Sequence, residues 1–132
     1  MKMSKSDIKK IKWLINHPGF SAKPVRAISR ILKWELIRLS EKPIQFIYDN
    51  DLSVLLYPED GVARLVFYFD YHEPIEFRFL NHFISKEMIC VDVGANIGMY
   101  TLFFAKRAKL VYSFEPLVIA FQKLEKIISD NH

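Results

Sequence analysis

The chain has 132 residues, 51% of them apolar and 26% charged, with a net charge of +4. That balance excludes a disordered polymer and provides for one ordinary domain with a modest core. No window holds the roughly 18 to 20 apolar residues of a membrane span, and no apolar run follows the N-terminal lysines as a secretory signal would require. The single cysteine, Cys90, excludes an internal disulfide framework and fits a cytoplasmic protein; its apolar neighbours point to a buried, inert thiol.

The positive charge is concentrated at one end. Residues 1–40 carry ten basic side chains, from Lys2 to Arg38, against two acidic ones, and the rest carry nine against thirteen. Residues 1–40 therefore read as a basic helical segment. Within it Ile8, Ile11, Leu14 and Ile15 recur at helical spacing until His17-Pro18-Gly19 breaks the pattern. A second helix after Pro24 is expected to bury Val25, Ile28, Leu32, Leu36 and Leu39, with Arg26, Arg30 and Lys33 opposite. Those three cations read either as a solvated face or as a surface for anionic lipid or nucleic acid; the sequence holds no strong sign of nucleic-acid binding.

Pro43–Tyr48 and Leu52–Tyr57 are β-type runs around the turn cluster Asp49-Asn50-Asp51, and predict a hairpin. The aromatic stretch before Pro74 has no clear period. Pro74 suits the first turn of a helix reaching Ile84, with Ile75, Phe79, Leu80 and Phe83 inward. Phe67, Phe69, Phe77, Phe79 and Phe83 read as core. Met88–Val93 is apolar enough for a central parallel strand covered on both faces. Ile97–Ala108 then reads as helix, Leu110–Phe114 as strand and Leu117–Ser129 as helix, a β-α-β-α unit of the doubly wound kind.

The segment Val91-Asp92-Val93-Gly94-Ala95-Asn96-Ile97-Gly98 joins the first strand of that unit to its helix. Gly94 permits backbone angles closed to other residues and close approach of a ligand. Gly98 lets the first helical turn lie near strand and ligand, while Asn96 is also suited to cap the helix at Ile97. Glu115, 21 positions beyond Gly94 and just after the second strand, is placed to accept hydrogen bonds from ribose hydroxyls. Asn96 and Met99 stand where a dinucleotide fingerprint needs its later glycines, and no P-loop is present. Asp92 would repel a pyrophosphate but suits the ammonium and sulfonium of S-adenosylmethionine (SAM). No His/Cys constellation for a metal is evident.

Through VDVGANIGMYTL (Val91–Leu102) and VYSFEP (Val111–Pro116) the chain resembles the FkbM-type methyltransferase family. Tyr71-His72-Glu73-Pro74 is similar to that family's entry to the preceding helix, and Phe121, Leu124, Ile128 and Asn131 to its following one. The likeness spans roughly residues 55–132. It implies an α/β, Rossmann-like class I methyltransferase fold, with SAM as methyl donor to a hydroxyl of a sugar or small metabolite. Carried over by position, Asp92, Gly94, Asn96 and Gly98 form the methionine-side loop, Glu115 holds the ribose, and Glu73 lines an entrance. No catalytic base can be named.

On this reading residues 41–132 are an incomplete methyltransferase domain, preceded by the N-terminal helices and truncated after the second strand and helix, so that this stretch alone is expected to be inactive. Two other readings stay open. One is a non-catalytic remnant whose basic helices bind a membrane surface or nucleic acid; the other is a Rossmann-like enzyme using a different nucleotide cofactor.

Overall fold

The computed structural model describes residues 5–131, which leaves Lys2 of the basic segment and the terminal His132 outside the description. Among them are seven helices and two sheets of two strands each, a mixed α/β protein. The chain groups into two compact units, residues up to 44 with 56–76, and residues 45–55 with those from 77 on. The composition shift at about residue 40 is a different boundary, one of charge.

Helices α1 (Lys5–Asn16), α2 (Pro18–Ala22), α3 (Pro24–Ser40) and α4 (Gly61–Phe69) make up the first unit. His17 ends α1 and caps α2, its Nδ1 accepting the Gly19 N–H at 3.1 Å while its ring stacks on Phe69 at 4.1 Å. Gly19 is required at this contact, because a Cβ there would meet Phe69 Cβ at 2.6 Å. Proline opens α2 and α3 at a position where no N–H is needed. The Asp60 carboxylate starts α4 by accepting the N–H groups of Val62 and Ala63.

Helix α3 lies the other way round from the expectation. Its buried side chains are Ala27 and Trp34, whereas Val25 is 81% and Leu39 78% exposed, and Ile28, Leu32 and Leu36 are exposed with them. The reason is visible across the helix. Trp34 packs on Phe67 and Tyr68 of α4, and Arg26 and Arg30 both donate to the Asp70 carboxylate just beyond it. Trp34 and Ala27 form the inward face, the Asp70 ion pairs lie at its edge, and the aliphatic stripe is left outside.

The two strands β1 (Ile44–Tyr48) and β2 (Leu52–Leu56) form the expected hairpin, with Asp49 and Asn50 both at positive φ. Asp and Asn tolerate that region better than other non-glycine residues. The hairpin tip belongs to the second unit. There Arg107 donates to the buried Asp49 carboxylate, Lys106 Nζ donates to Asp49 O and Asp51, and the Asn131 amide bridges both backbone groups of Ser53.

Helix α5 (Pro74–Phe83) starts at Pro74 as expected, but Phe77 is its buried residue, against Tyr48, Tyr100 and Phe103. Ile75, Phe79 and Phe83, expected inward, are exposed, with Phe79 and Phe83 stacked on each other. Of the five phenylalanines read as core, Phe69 and Phe77 are buried and Phe67 is half-buried.

Strand β3 (Ile89–Val93) runs parallel to β4 (Leu110–Phe114), Ile89 opposite Leu110 and Val93 opposite Phe114. Helices α6 (Met99–Ala105) and α7 (Val118–Ser129) follow these strands in turn. Only one face of the sheet is covered. Asp92 is buried and Cys90, Val111 and Ser113 are half-buried, while Val91 is 58% and Tyr112 51% exposed, in line with Ile89, Val93, Leu110 and Phe114. The expectation of cover on both faces is thus corrected: α6 and α7 supply one layer, and none of the described residues supplies the second.

Candidate functional site

The turn that leaves β3 is closed by its own backbone. Gly94, Asn96 and Gly98 have φ values of +80°, +49° and +90°. The N–H groups of Gly94 and Ala95 both donate to Phe114 O, at 2.8 and 3.0 Å, and the Gly98 N–H donates to Ala95 O at 2.8 Å. The Asn96 N–H donates to Glu115 Oε2 at 2.8 Å, and Glu115 Oε1 accepts the Leu117 N–H at 2.8 Å. Glu115 thereby ties the turn after β3 to the turn after β4. Each of its oxygens keeps a further lone pair for a hydroxyl donor.

Asn96 does not cap α6. The helix begins at Met99, two residues later than expected, with Gly98 at the cap position and no side-chain bond there. Asn96 instead supplies the left-handed corner and the N–H that Glu115 holds.

Gly94 and Gly98 are glycine for different reasons. A Cβ on Gly94 would meet nothing within 4 Å, so the constraint is its positive φ, and the space over it is open. At Gly98 a Cβ would come within 2.8 Å of Leu124 Cδ1 and 3.0 Å of Ile127 Cγ2. That glycine lets α7 close against the start of α6.

Asp92 points into the protein. The strand alternates, so Asp92 shares the covered face with Cys90, and its Oδ2 accepts the Thr101 hydroxyl at 2.6 Å. Thr101 Oγ1 also lies 2.8 Å from Ser113 Oγ. Since Thr101 has one hydroxyl hydrogen, which goes to Asp92, the Ser113 hydroxyl donates to Thr101. This chain of three spans β3, α6 and β4, and the sequence reading missed both Thr101 and Ser113. Strand alternation marks Ser113 as inward, but nothing in the sequence marks Thr101 as the partner of Asp92.

Glu73 falls in the first unit, with its carboxylate 3.3 Å from His72 Nε2 and half-exposed, whereas the glycine turn is in the second. Burial pushes His72 below the ordinary histidine range, partly offset by Glu73, Glu76 and Asp60. Burial pushes the Cys90 thiol up, away from the thiolate that a nucleophile needs. Arg26 and Arg30 of the basic face are bonded to Asp70, and Lys33 is exposed. Among the described residues no group of three or more His, Cys, Asp or Glu side chains is placed to hold a metal, and no helix is long and apolar enough to cross a membrane.

Compared with protein-family models, with curated proteins and with solved structures, the chain matches none.

Proposed function

We propose that this chain carries the cofactor-binding opening of a SAM-dependent methyltransferase of the FkbM type, in a Rossmann-like arrangement. The observation that carries the reading is the coupling of two features. A glycine turn leaves the carboxyl end of one parallel strand, and the acid at the end of its neighbour, Glu115, holds that turn through the Asn96 N–H. Ligands of open parallel sheets bind at this end of the strands.

The polar groups present favour SAM over a phosphate-bearing cofactor. The N–H groups of Gly94, Ala95, Asn96 and Gly98 are committed to acceptors within the chain, so these four are not free donors for a pyrophosphate. What the turn offers is open space over Gly94 and the spare lone pairs of a carboxylate, suited to a ribose diol and a cationic amino-acid tail. SAM would supply an electrophilic methyl group on its sulfonium.

In this reading Glu115 orients the ribose while holding the turn, and Gly94 admits the ligand to the backbone. Asp92 acts from behind: with Thr101 and Ser113 it fixes the end of β3 and the start of α6, and adds negative potential beneath the site. Gly98 sets the α6–α7 contact. The acceptor is a hydroxyl of a sugar or small metabolite, and positioning it in line with the methyl group is most of the catalytic task.

Equilibrium dialysis with labelled SAM tests the proposal. Binding is expected to be lost in Gly94→Val and weakened about ten- to a hundredfold in Glu115→Ala, the worth of a charge-assisted hydrogen bond. Equal affinity in wild type and both variants, or displacement of SAM by NAD at similar concentration, contradicts it.

A second reading is favoured by the aliphatic stripe that α3 exposes from Val25 to Leu39, beside the exposed Lys23 and Lys33. Apolar side chains flanked by lysines suit the surface of an anionic membrane. Cosedimentation with phosphatidylglycerol vesicles should be reduced by Leu32→Glu and by salt. No sedimentation at low salt removes this reading.

A further inference from the structure

The first unit contains a cavity of about 640 Å3 that the methyltransferase reading does not use. Its walls include Trp13, Trp34 and Tyr68, contributed by α1, α3 and α4, and its rim includes Lys9, Lys10 and Arg64. The size falls within the range of pockets that enclose small molecules, roughly 300–1,000 Å3.

The charges around it are unevenly engaged. Of the acids, Glu35 is in an ion pair with Arg38, Asp60 is occupied by the first N–H groups of α4, and Glu59 also interacts within the chain. Of the cations, Lys9, Lys10 and Arg64 take part in none of the ion pairs found among the described residues. Burial pushes the Tyr68 phenol up, opposed first by Arg64, so the hydroxyl stays protonated and able to donate near that guanidinium. Trp34 is fully buried and Tyr68 nearly so, so both back the cavity, while Trp13 is the aromatic ring open to a ligand. An aromatic hollow with spare positive charge at its mouth favours a ligand with an apolar body and an anionic end.

We infer that this cavity binds a small amphipathic anion, a carboxylate or a phosphate monoester on an apolar body, with Arg64, Lys10 and Lys9 meeting the charge and Trp13, backed by Trp34 and Tyr68, the body. Arg64 is the principal anchor, because a guanidinium matches both anions in a forked geometry. The two lysines steer and are screened by salt.

Trp13 and Trp34 are the two tryptophans of the chain, so its intrinsic fluorescence reports directly on this cavity. Titrations with octanoate, octyl phosphate, octanol and octyltrimethylammonium, below their micelle concentrations, separate charge from apolar contact. A saturable change is expected with one or both anions, about ten- to a hundredfold tighter than with octanol, the worth of a charge-assisted bond. The tighter of the two anions identifies carboxylate or phosphate as the group recognised. Arg64→Glu and Lys10→Glu should abolish the preference for anions at unchanged helical circular dichroism, and Gly94→Val should leave it intact, which keeps this result separate from the fate of the cofactor site. Equal affinity for octanol and the anions, or no saturable change with any probe, overturns the inference. If a charge-reversed variant does not fold, the comparison of probes on the wild-type chain decides alone.

Discussion

Gly98 and Thr101 show how single residues set the geometry around the glycine turn. Gly98→Ala brings a methyl group to 2.8 Å from Leu124 at a φ of +90°, adding overpacking to backbone strain. The expected loss is about 2–4 kcal/mol in denaturant unfolding. Gly94→Ala meets no neighbour and should cost only the backbone part, about 1–2 kcal/mol. Equal losses at the two positions would refute the different roles assigned to them. Thr101→Val removes the hydroxyl that satisfies Asp92 Oδ2 and receives Ser113, at nearly constant volume. A buried carboxylate deprived of its donor should cost about 1–3 kcal/mol, and Thr101→Ser should restore most of it.

At the scale of elements, the hairpin, the parallel strand pair and most helix starts were legible, because each carries a local cause. Pro24 and Pro74 open helices as expected, and Asp49-Asn50 accepts the left-handed turn, whereas Pro18, read only as a breaker, also opens the short α2. Helix α4 was not legible: Gly61–Phe69 is apolar around much of its circumference, although Asp60 two and three positions before the N–H groups it caps was an available signal. The inward face of α3 differs from the expectation because hydropathy favours the aliphatic stripe, whereas Trp34 makes its aromatic contacts across 33 and 34 positions, with the Asp70 ion pairs across 40 and 44. Trp34→Ala should therefore destabilise the first unit by about 3–5 kcal/mol, and Leu36→Ala, on the expected core face, by less than about 1 kcal/mol. A larger loss at Leu36 would reverse the assignment. The bare face of β3 and β4 is apolar enough to promote association between copies. Sedimentation velocity should show concentration-dependent self-association that Val91→Lys with Tyr112→Lys reduces; identical profiles would show that this face is inert.

At the scale of the whole molecule, stability should depend on pH through His72. Its proton affinity in the folded protein is lowered by burial, so the unfolded chain binds more protons in the interval below the ordinary histidine value. Stability is then full above about pH 6.5 and falls as the pH drops from there toward the folded value, below which this contribution levels off. Thermal unfolding of wild type and His72→Asn should show the variant with a flatter profile over that interval, and parallel profiles would remove His72 as the cause. The candidate site was legible as a spacing, Gly94 to Glu115, because motif and strand ends are local. Its internal wiring was not. That Asn96 is held by Glu115, that Asp92 faces Thr101, and that Gly98 serves α7 all depend on which side of a turn or strand each atom lies.

Whether the Gly94–Gly98 turn and Glu115 form a SAM site is tested residue by residue by nuclear magnetic resonance of the 15N-labelled chain with added SAM. Saturable shifts are expected for the amides of Gly94, Ala95, Asn96 and Leu117, with Asn96 and Leu117 responding because Glu115 bonds to both, and no comparable shifts with NAD. Shifts absent from these amides at saturating SAM, or the same shifts produced by NAD, would contradict a SAM site there.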